Sequence, residues 1–132
     1  MKKLLISSGS SFEKLAGYSR AVVIGNTVRV SGTTGFDYTN MTISDDLLEQ
    51  THQTFHNIAA ALAQAGASLD EVVRVRYLIT EAESFNIIAP VLGEYFATAR
   101  PAATMMVVGL IDARMKIEIE VTAVLTAASN LP

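Results

Sequence analysis

Apolar and polar residues alternate strictly near the C-terminal end of the chain. From position 115 to position 125 every odd residue is apolar, whereas the even positions through 122 are polar and include Glu118 and Glu120. A period of two residues is typical of a β-strand that is buried on one face. Glu118 and Glu120 therefore share the opposite face, about 7 Å apart along the strand. Their charges interact there if water is partly excluded.

The run just before this strand shows no alternation. Residues 104–110 read Thr-Met-Met-Val-Val-Gly-Leu, so a strand in this place is apolar on both sides. A strand of this kind has to be covered on both faces and is typical of the middle of a sheet that lies between two layers. The sequence therefore predicts that this strand is central.

The first part of the chain predicts an edge strand and a hairpin. Residues 2–6 form a short apolar run with two lysines, which suits an edge strand. Two β-rich runs, 21–24 and 27–32, flank a Gly-Asn turn signal and predict a hairpin. The polar segments 7–15 and 36–43 are predicted as loops.

Two helices are predicted in the middle of the chain. Ser44 and the two aspartates after it predict a helix start, and Gly66 predicts its left-handed end. The apolar stripe of this helix comprises Leu48, Phe55, Ile58, Ala59, Leu62 and Ala65. Residues 72–79 predict a strand, and 83–97 predict a second helix, in which Pro90 marks a kink or the first turn.

The order of elements predicts an α+β fold in a single domain spanning residues 1–132. A hairpin, a helix, a strand and a second helix precede two strands, and right-handed crossovers bring both helices to one face of the sheet. The other face then lacks the cover that the 104–110 strand requires. We therefore expect a closed homo-oligomer whose sheets face inward.

Composition narrows the classes of function. Hydrophobic residues make up 50% of the chain and charged residues only 17%, which suits a domain with apolar surface against another subunit. No apolar run reaches the about 20 residues of a membrane span, and the N-terminal one is too short for a signal peptide. We therefore expect a cytoplasmic protein without a membrane partner. The absence of cysteine excludes thiol catalysis, and a net charge of -3 argues against a nucleic-acid partner.

A series of short motifs stands in a fixed order between positions 17 and 125. The motifs are Tyr18-Ser19-Arg20, Gly25-Asn26, Val30-Ser31-Gly32, Ala65-Gly66, Val72-Val73, Phe96, Arg100-Pro101-Ala102 and Ile117-Glu118-Ile119-Glu120. In order and spacing they resemble the RidA/YjgF family of imine deaminases, formerly called endoribonuclease L-PSP. The resemblance implies a chorismate-mutase-like fold, with a mixed six-stranded sheet and two helices on one face. It also implies a homotrimer with three clefts at its subunit interfaces, which hydrolyses enamines or imines to a 2-oxo acid and ammonia without metal or cofactor.

The resemblance also names site residues. The family's cleft tyrosine matches Tyr18, its strand-end serine and glycine match Ser31 and Gly32, and its water-positioning glutamate matches Glu118. The backbone at Met105 is expected beside the ligand. By this resemblance Tyr18 and Glu118 are catalytic, and the other three residues bind substrate.

Two positions depart from the family pattern. The deaminases carry an arginine directly after Pro-Ala that grips the substrate carboxylate, and this chain has Ala103 there. The family asparagine of the second helix falls near Ala89. An arginine–carboxylate contact is forked and charge-assisted, so this chain resembles a branch of the family without its usual anchor. Arg20 and Arg114 flank the matched segments and are our candidates to replace it, from the set Arg20, Arg29, Arg74, Arg76, Arg100 and Arg114.

Each candidate also has a purely structural interpretation. Glu118 handles water if it is half-buried; alternatively, both glutamates form the solvent-exposed face of the strand. The arginines are alternatively surface charges or ion-pair partners. His52 and His56 stand four residues apart, as two metal ligands on a helix would, but no third ligand accompanies them and we expect no metal. Ser31 has no neighbouring base in sequence that would make it a nucleophile.

Two classes of function follow. The first is a trimer that binds a small metabolite at subunit interfaces; if it is an enzyme, it is a hydrolase acting on C–N bonds, like 2-iminobutanoate/2-iminopropanoate deaminase. The alternative is a non-enzymatic trimer that senses a ligand or binds a partner. Endoribonuclease activity is a third and less favoured reading, because the chain is acidic.

Overall fold

The computed structural model describes residues 2–125 and is built on a six-stranded sheet. The strands are β1 (Lys3–Ile6), β2 (Ala21–Ile24), β3 (Thr27–Thr34), β4 (Phe36–Asp37), β5 (Thr42–Ile43), β6 (Val72–Ile79), β7 (Ala102–Val107) and β8 (Ile117–Val124). The helices are α1 (Ser11–Ala16), α2 (Leu47–Gln64) and α3 (Ser84–Tyr95), with a 3-10 turn at Leu69–Glu71. The main sheet has the order β1-β2-β3-β8-β6-β7, and β4 pairs with β5 separately. Only the β6–β7 pair of the main sheet is parallel, so this sheet is mixed.

The strand predicted from strict alternation lies near the middle of the sheet. β8 pairs with β3 on one side and with β6 on the other. Its four odd positions, from Ile117 to Ala123, are buried under the helices. Glu118 and Glu120 lie on the opposite face, as the period of two predicts. The hairpin, the edge strand and the 72–79 strand are also confirmed.

The doubly apolar run is not a central strand, and that prediction was wrong. β7 lies at the edge of the sheet and pairs only with β6. Met106 and Val107 are exposed, Val107 by 55%. The crossover through α3 sets β7 beside β6 in the parallel sense, on the side of β6 away from β8. Part of the apolar surface that the sequence predicted to be covered is therefore exposed in this chain.

Both long helices cover one face of the sheet, and a single hydrophobic core joins them to it. Phe55, Ile58 and Leu62 of α2 are fully buried there, as predicted from the stripe, and so is Ile88 of α3. No helix within residues 2–125 is long and apolar enough to cross a membrane.

The start and the stripe of α2 differ from prediction. The N-cap is Asp46, whose carboxylate accepts a hydrogen bond from the Glu49 amide at 2.9 Å, so the helix does not begin at Ser44. Leu48 is exposed, and the polar side chains Gln50, Thr51 and Thr54 are buried in its stead. Hydropathy alone misses such residues, because their buried polar atoms are paired with backbone groups.

The two segments predicted as loops contain regular structure. Within 7–15, α1 begins after Ser10, whose hydroxyl accepts a hydrogen bond from the Phe12 amide at 3.1 Å. It ends at Gly17 in a left-handed conformation with φ of 74°. Within 36–43, β4 and β5 form a small hairpin, and Phe36 packs edge-on against Phe12 with 5.7 Å between ring centroids.

The second long helix is shorter than predicted and contains its proline. α3 spans Ser84–Tyr95, and Pro90 lies inside it, so Pro90 does not mark the first turn. Phe85, near the start of the helix, is exposed although it is aromatic.

Gln50 ties α2 to the chain that leads into β8. Its amide nitrogen donates to the carbonyls of Ser44 at 2.7 Å and Arg114 at 2.8 Å, and its amide oxygen accepts from the Lys116 backbone at 2.9 Å. The side chain is fully buried. One side-chain amide therefore satisfies three backbone groups. Two of them lie 64 and 66 residues further along the chain, and the third lies just before the start of α2.

We predict that Gln50→Leu destabilises the protein by about 2 to 4 kcal/mol, because it strands buried backbone donors and acceptors without changing the volume much. The free energy of unfolding from urea titration measures this. Gln64→Leu at the exposed end of the same helix is the control and should shift it by less than about 0.5 kcal/mol. Equal effects of the two substitutions would contradict the role assigned to Gln50.

Candidate functional site

The end of β3 is irregular, and a buried arginine holds it. The pairing of β3 with β8 shifts register between Val30 and Thr33. Nη1 of Arg20 donates to the Gly32 carbonyl at 2.7 Å, to the Thr33 hydroxyl at 3.2 Å and to the Ser31 hydroxyl at 3.3 Å. Three consecutive residues are thereby fixed by one guanidinium, which stabilises backbone that is not regular β-structure.

The other contacts of Arg20 come from the N-terminal segment and from an aromatic ring. Its Nε donates to the Ser8 hydroxyl at 3.3 Å and lies 3.6 Å from a Glu13 carboxylate oxygen. Its Cζ atom lies 4.4 Å from the ring centroid of Tyr38, a cation–π contact. The side chain is only 1% exposed. Nη2 is buried without a hydrogen-bond partner in the part of the chain that the structure describes.

Glu13 is built to stay ionised beside this cation. Burial acts to raise the pKa of its carboxyl, but hydrogen bonds from Ser8 and Ser7 and the positive charge of Arg20 outweigh it and hold the pKa below 4.5. Arg20 and Glu13 therefore form a buried ion pair, of the kind that is costly to break from one side.

The Glu118 carboxylate lies directly against Gly32. A Cβ atom added to Gly32 would stand 1.8 Å from Oε2 of Glu118, closer than any real contact. A side chain at this position would therefore displace the carboxylate. β8 brings Glu118 level with Thr34 of β3 and Leu78 of β6, on the sheet face that the helices leave open.

The Glu118 carboxyl has a raised pKa. Burial is the main cause, and the nearby charge of Glu120 adds to it, while the positive charge of Arg20 opposes the shift. The group thus holds its proton to higher pH than an exposed glutamate, which suits a role in proton transfer.

Tyr18 and Ser31 complete the assembly, which we call the Glu118 cluster: Tyr18, Arg20, Ser31, Gly32 and Glu118. The Tyr18 ring centroid lies 5.7 Å from Cζ of Arg20, and the Tyr18 side chain is partly exposed to solvent. Burial raises the pKa of its hydroxyl, so it remains a hydrogen-bond donor. The Ser31 hydroxyl donates to the Arg20 carbonyl at 3.0 Å. No base among residues 2–125 is bonded to this hydroxyl, which suits binding rather than nucleophilic attack.

The structure separates the remaining predicted residues from this cluster. Met105 lies on β7, opposite Tyr77. Arg114 forms a surface ion pair with Asp112 at 2.9 Å and stacks over Phe36. Hydrogen bonds from Arg114 lower the pKa of Asp112 to about 2, so this pair stays closed near neutral pH.

Ala89 and Ala103, the two positions expected to depart from the family pattern, share one cavity. A cavity of about 460 Å³ between α3 and β7 is lined by Ala89 and Ala103, together with Met105 and Arg100. We call it the α3–β7 cavity. The sequence did not predict that these residues line one cavity. The expected apolar residues at two site positions, Ala89 and Ala103, were the signal that could have indicated it. Arg74 and Arg76 lie elsewhere, bonded to Thr104 and Glu120 on the open sheet face.

No metal site forms within residues 2–125, because no three side chains of His, Asp or Glu come together there. His52 is engaged differently, with its Nδ1 2.7 Å from the Tyr95 hydroxyl.

A family model described as Endoribonuclease L-PSP matches residues 8–125. The chain belongs to the RidA/YjgF/L-PSP family. RidA-like chains of known structure share the fold: a member of the YjgF/YER057c/UK114 family from Mycobacterium tuberculosis superposes with a TM-score of 0.86 at 39% identity, covering 94% of this chain and all of that one. RidA from an Antarctic Psychrobacter gives a TM-score of 0.82 at 29% identity, covering 92% of this chain and 98% of that one.

RidA-family sequences with and without an assigned activity are similarly distant. An uncharacterised protein of Streptomyces coelicolor is 34% identical over 119 residues, 89% of each chain. A 2-iminobutanoate/2-iminopropanoate deaminase of Dermatophagoides farinae is 31% identical over 119 residues, 89% of this chain and 93% of the relative. The family thus includes imine deaminases.

The raised pKa of Glu118 predicts how Glu118→Gln changes stability with pH. Below pH 4.5 the carboxyl is protonated in both the folded and the unfolded chain, so the substitution should change little. Above the raised pKa the folded chain carries a half-buried charge that the unfolded chain solvates freely. Glu118→Gln should therefore raise Tm at pH 7.5, and this gain should vanish toward pH 4. Thermal melts across this range test it, with the exposed Glu81→Gln as control; a lower Tm for Glu118→Gln at pH 7.5 would contradict burial as the cause of the shift.

Proposed function

We propose that this protein is a RidA-like homotrimer that binds a small metabolite in clefts between subunits and hydrolyses an enamine or imine there, without a metal, to a 2-oxo compound and ammonia. The observation that carries the proposal is the half-buried Glu118 carboxylate, seated against Gly32 with a raised pKa. Membership of a family that includes imine deaminases supports it.

The uncovered face of the sheet supports self-association. The helices cover only one face of the sheet. The open face has a concave pocket with a volume of about 460 Å³, which is lined by Arg29, Arg74, Arg76 and Glu120. Next to it, Met106 and Val107 of the edge strand are exposed. Apolar strand surface beside paired charges is typical of an interface between copies. In a trimer, the Glu118 cluster of one subunit would face the α3–β7 cavity of its neighbour.

Glu118 supplies the chemistry that this reaction needs. Hydrolysis of an imine adds water to the C=N carbon and moves protons from that water to the leaving nitrogen, which departs as ammonia. The ionised Glu118 carboxylate accepts a proton from the attacking water, and the protonated group returns it to nitrogen. Tyr18, whose hydroxyl stays protonated, orients the substrate as a hydrogen-bond donor.

Ala103 and Ala89 set this chain apart from the usual deaminases. They support a branch of the family that lacks the deaminase arginine, and they favour a ligand-sensing or partner-binding trimer as the second candidate. The acidic net charge of -3 speaks against an endoribonuclease. We place the trimer in the cytoplasm, with no nucleic acid or membrane as partner and no cofactor.

The test couples an imine assay to sedimentation. The enzyme is added to 2-aminoacrylate, generated from serine by a pyridoxal-phosphate-dependent lyase, and release of pyruvate above the rate in buffer is expected. Sedimentation should give three times the chain mass of 14.1 kDa. A rate equal to buffer with an intact trimer would leave the ligand-binding trimer, and salt-sensitive RNA binding would favour the ribonuclease.

Gly32→Ala probes the carboxylate position directly. The new methyl group should push Glu118 aside, because the clash is with the flexible end of its side chain, and the fold should survive. We predict a loss of about a hundredfold in kcat, the scale of one misplaced acid–base group, with Tm nearly unchanged. Gly109→Ala, where a Cβ meets nothing within 4 Å, is the matched control and should retain the rate. Full activity of Gly32→Ala would remove Glu118 from the reaction.

A further inference from the structure

The α3–β7 cavity has an apolar wall and a single charged residue. Its lining includes Phe85, Leu92, Phe96 and Met105, and Arg100 is the one charged side chain among the residues that line it. In the described part of the chain the guanidinium of Arg100 has neither an ion pair nor a hydrogen bond, in contrast to Arg20, Arg76 and Arg114. Arg100 is an exposed residue, so its guanidinium is accessible to a ligand at the edge of the cavity.

Arg100 is held in an unusual backbone conformation. Its φ is 47°, in the left-handed region that favours glycine. Its amide donates to the Phe96 carbonyl at 2.9 Å and closes the turn after α3, and Pro101 follows directly. A long charged side chain at a position that suits glycine points to a role for that side chain.

Tyr77 provides a second polar group in the same cavity. The side chain is 6% exposed and belongs to the lining, and its hydroxyl has no hydrogen-bond partner within residues 2–125. Burial raises the pKa of this hydroxyl, so it remains a donor. This hydroxyl lines an open cavity and has no hydrogen-bond partner, so it can donate a hydrogen bond to a ligand there.

The geometry points to Arg100, with the Tyr77 hydroxyl, as the group that selects an anionic ligand in the α3–β7 cavity: a small monocarboxylate with a branched or aromatic apolar body. This inference deepens the proposed function, since the cavity would form part of the cleft between subunits. It rests on the proposed function only for the assumption that the cavity belongs to that cleft. Arg20 and Arg114 are less suited to this role. Arg20 already donates four hydrogen bonds through Nε and Nη1 and forms an ion pair with Glu13, and Arg114 is paired with Asp112. The carboxylate would meet the guanidinium, and the apolar body would pack against Ala89 and Ala103.

The test compares two ligands that differ only in charge. 3-Methylbutanoate and its neutral amide, 3-methylbutanamide, are titrated into the protein, and binding is followed by calorimetry and by backbone amide chemical shifts along β7. We expect the carboxylate to bind the wild type about tenfold or more tightly than the amide. Arg100→Gln should remove this preference, and Tyr77→Phe should weaken carboxylate binding about threefold or more.

Two further variants control for charge and folding. Lys3→Gln removes the same charge at the opposite edge of the sheet and should leave the affinity within about twofold of wild type. Arg100→Gly suits the left-handed backbone, so it should fold with a Tm close to wild type while losing the carboxylate preference. Equal affinity for the two ligands in wild type, or undiminished carboxylate binding in Arg100→Gly, would overturn the inference.

A last variant separates this inference from the proposed function. Glu118→Gln should abolish imine hydrolysis and keep Arg100-dependent carboxylate binding. If the wild type hydrolyses no imine but still prefers the carboxylate through Arg100, the enzymatic proposal fails and the inference stands. If binding is lost in Glu118→Gln and unchanged in Arg100→Gln, the anion lies in the Glu118 cluster and the inference is wrong.

Discussion

One buried guanidinium connects the N-terminal segment of this chain to the end of β3. Arg20 reaches the N-terminal segment through Ser8 and Glu13, and the end of β3 through Gly32. A charge buried this deeply is costly, and here the hydrogen bonds of Nε and Nη1 and the counter-charge of Glu13 offset that cost. Because Arg20 fixes the irregular backbone at Gly32, it also fixes the surface on which Glu118 rests. The candidate chemistry therefore depends on a buried contact within the protein.

The features expected of a ligand site are divided within one protomer. The Glu118 cluster has the carboxyl group with a raised pKa, whereas the α3–β7 cavity has apolar walls and no carboxylate or histidine among its lining residues. A protomer of this kind becomes complete when a second copy brings the other half, and this is the physical basis of the proposed trimer.

Much of the fold follows from local pattern, and the errors have identifiable causes. The 72–79 strand and the alternation in β8 were predictable because one buried face imposes a period of two. β7 was misplaced because hydropathy cannot distinguish burial inside a chain from apolar surface left open in a protomer. α2 was read from the wrong residues because Gln50 and its polar neighbours are buried through hydrogen bonds to the backbone. In the site, the sequence named all five members of the Glu118 cluster, but the burial of Arg20 arises from contacts 11 to 13 residues away that no local pattern encodes.

The attachment of Arg20 to Glu13 gives the start of the chain a meaning beyond an edge strand and a short helix. A protein that lacked residues up to Glu13 would keep every strand of the sheet except β1, yet it would leave a desolvated cation without its counter-ion beside Gly32. The N-terminal segment thus supports the backbone against which the Glu118 carboxylate rests. Changes to that segment would therefore lower the stability of the fold and disturb the position of Glu118 together.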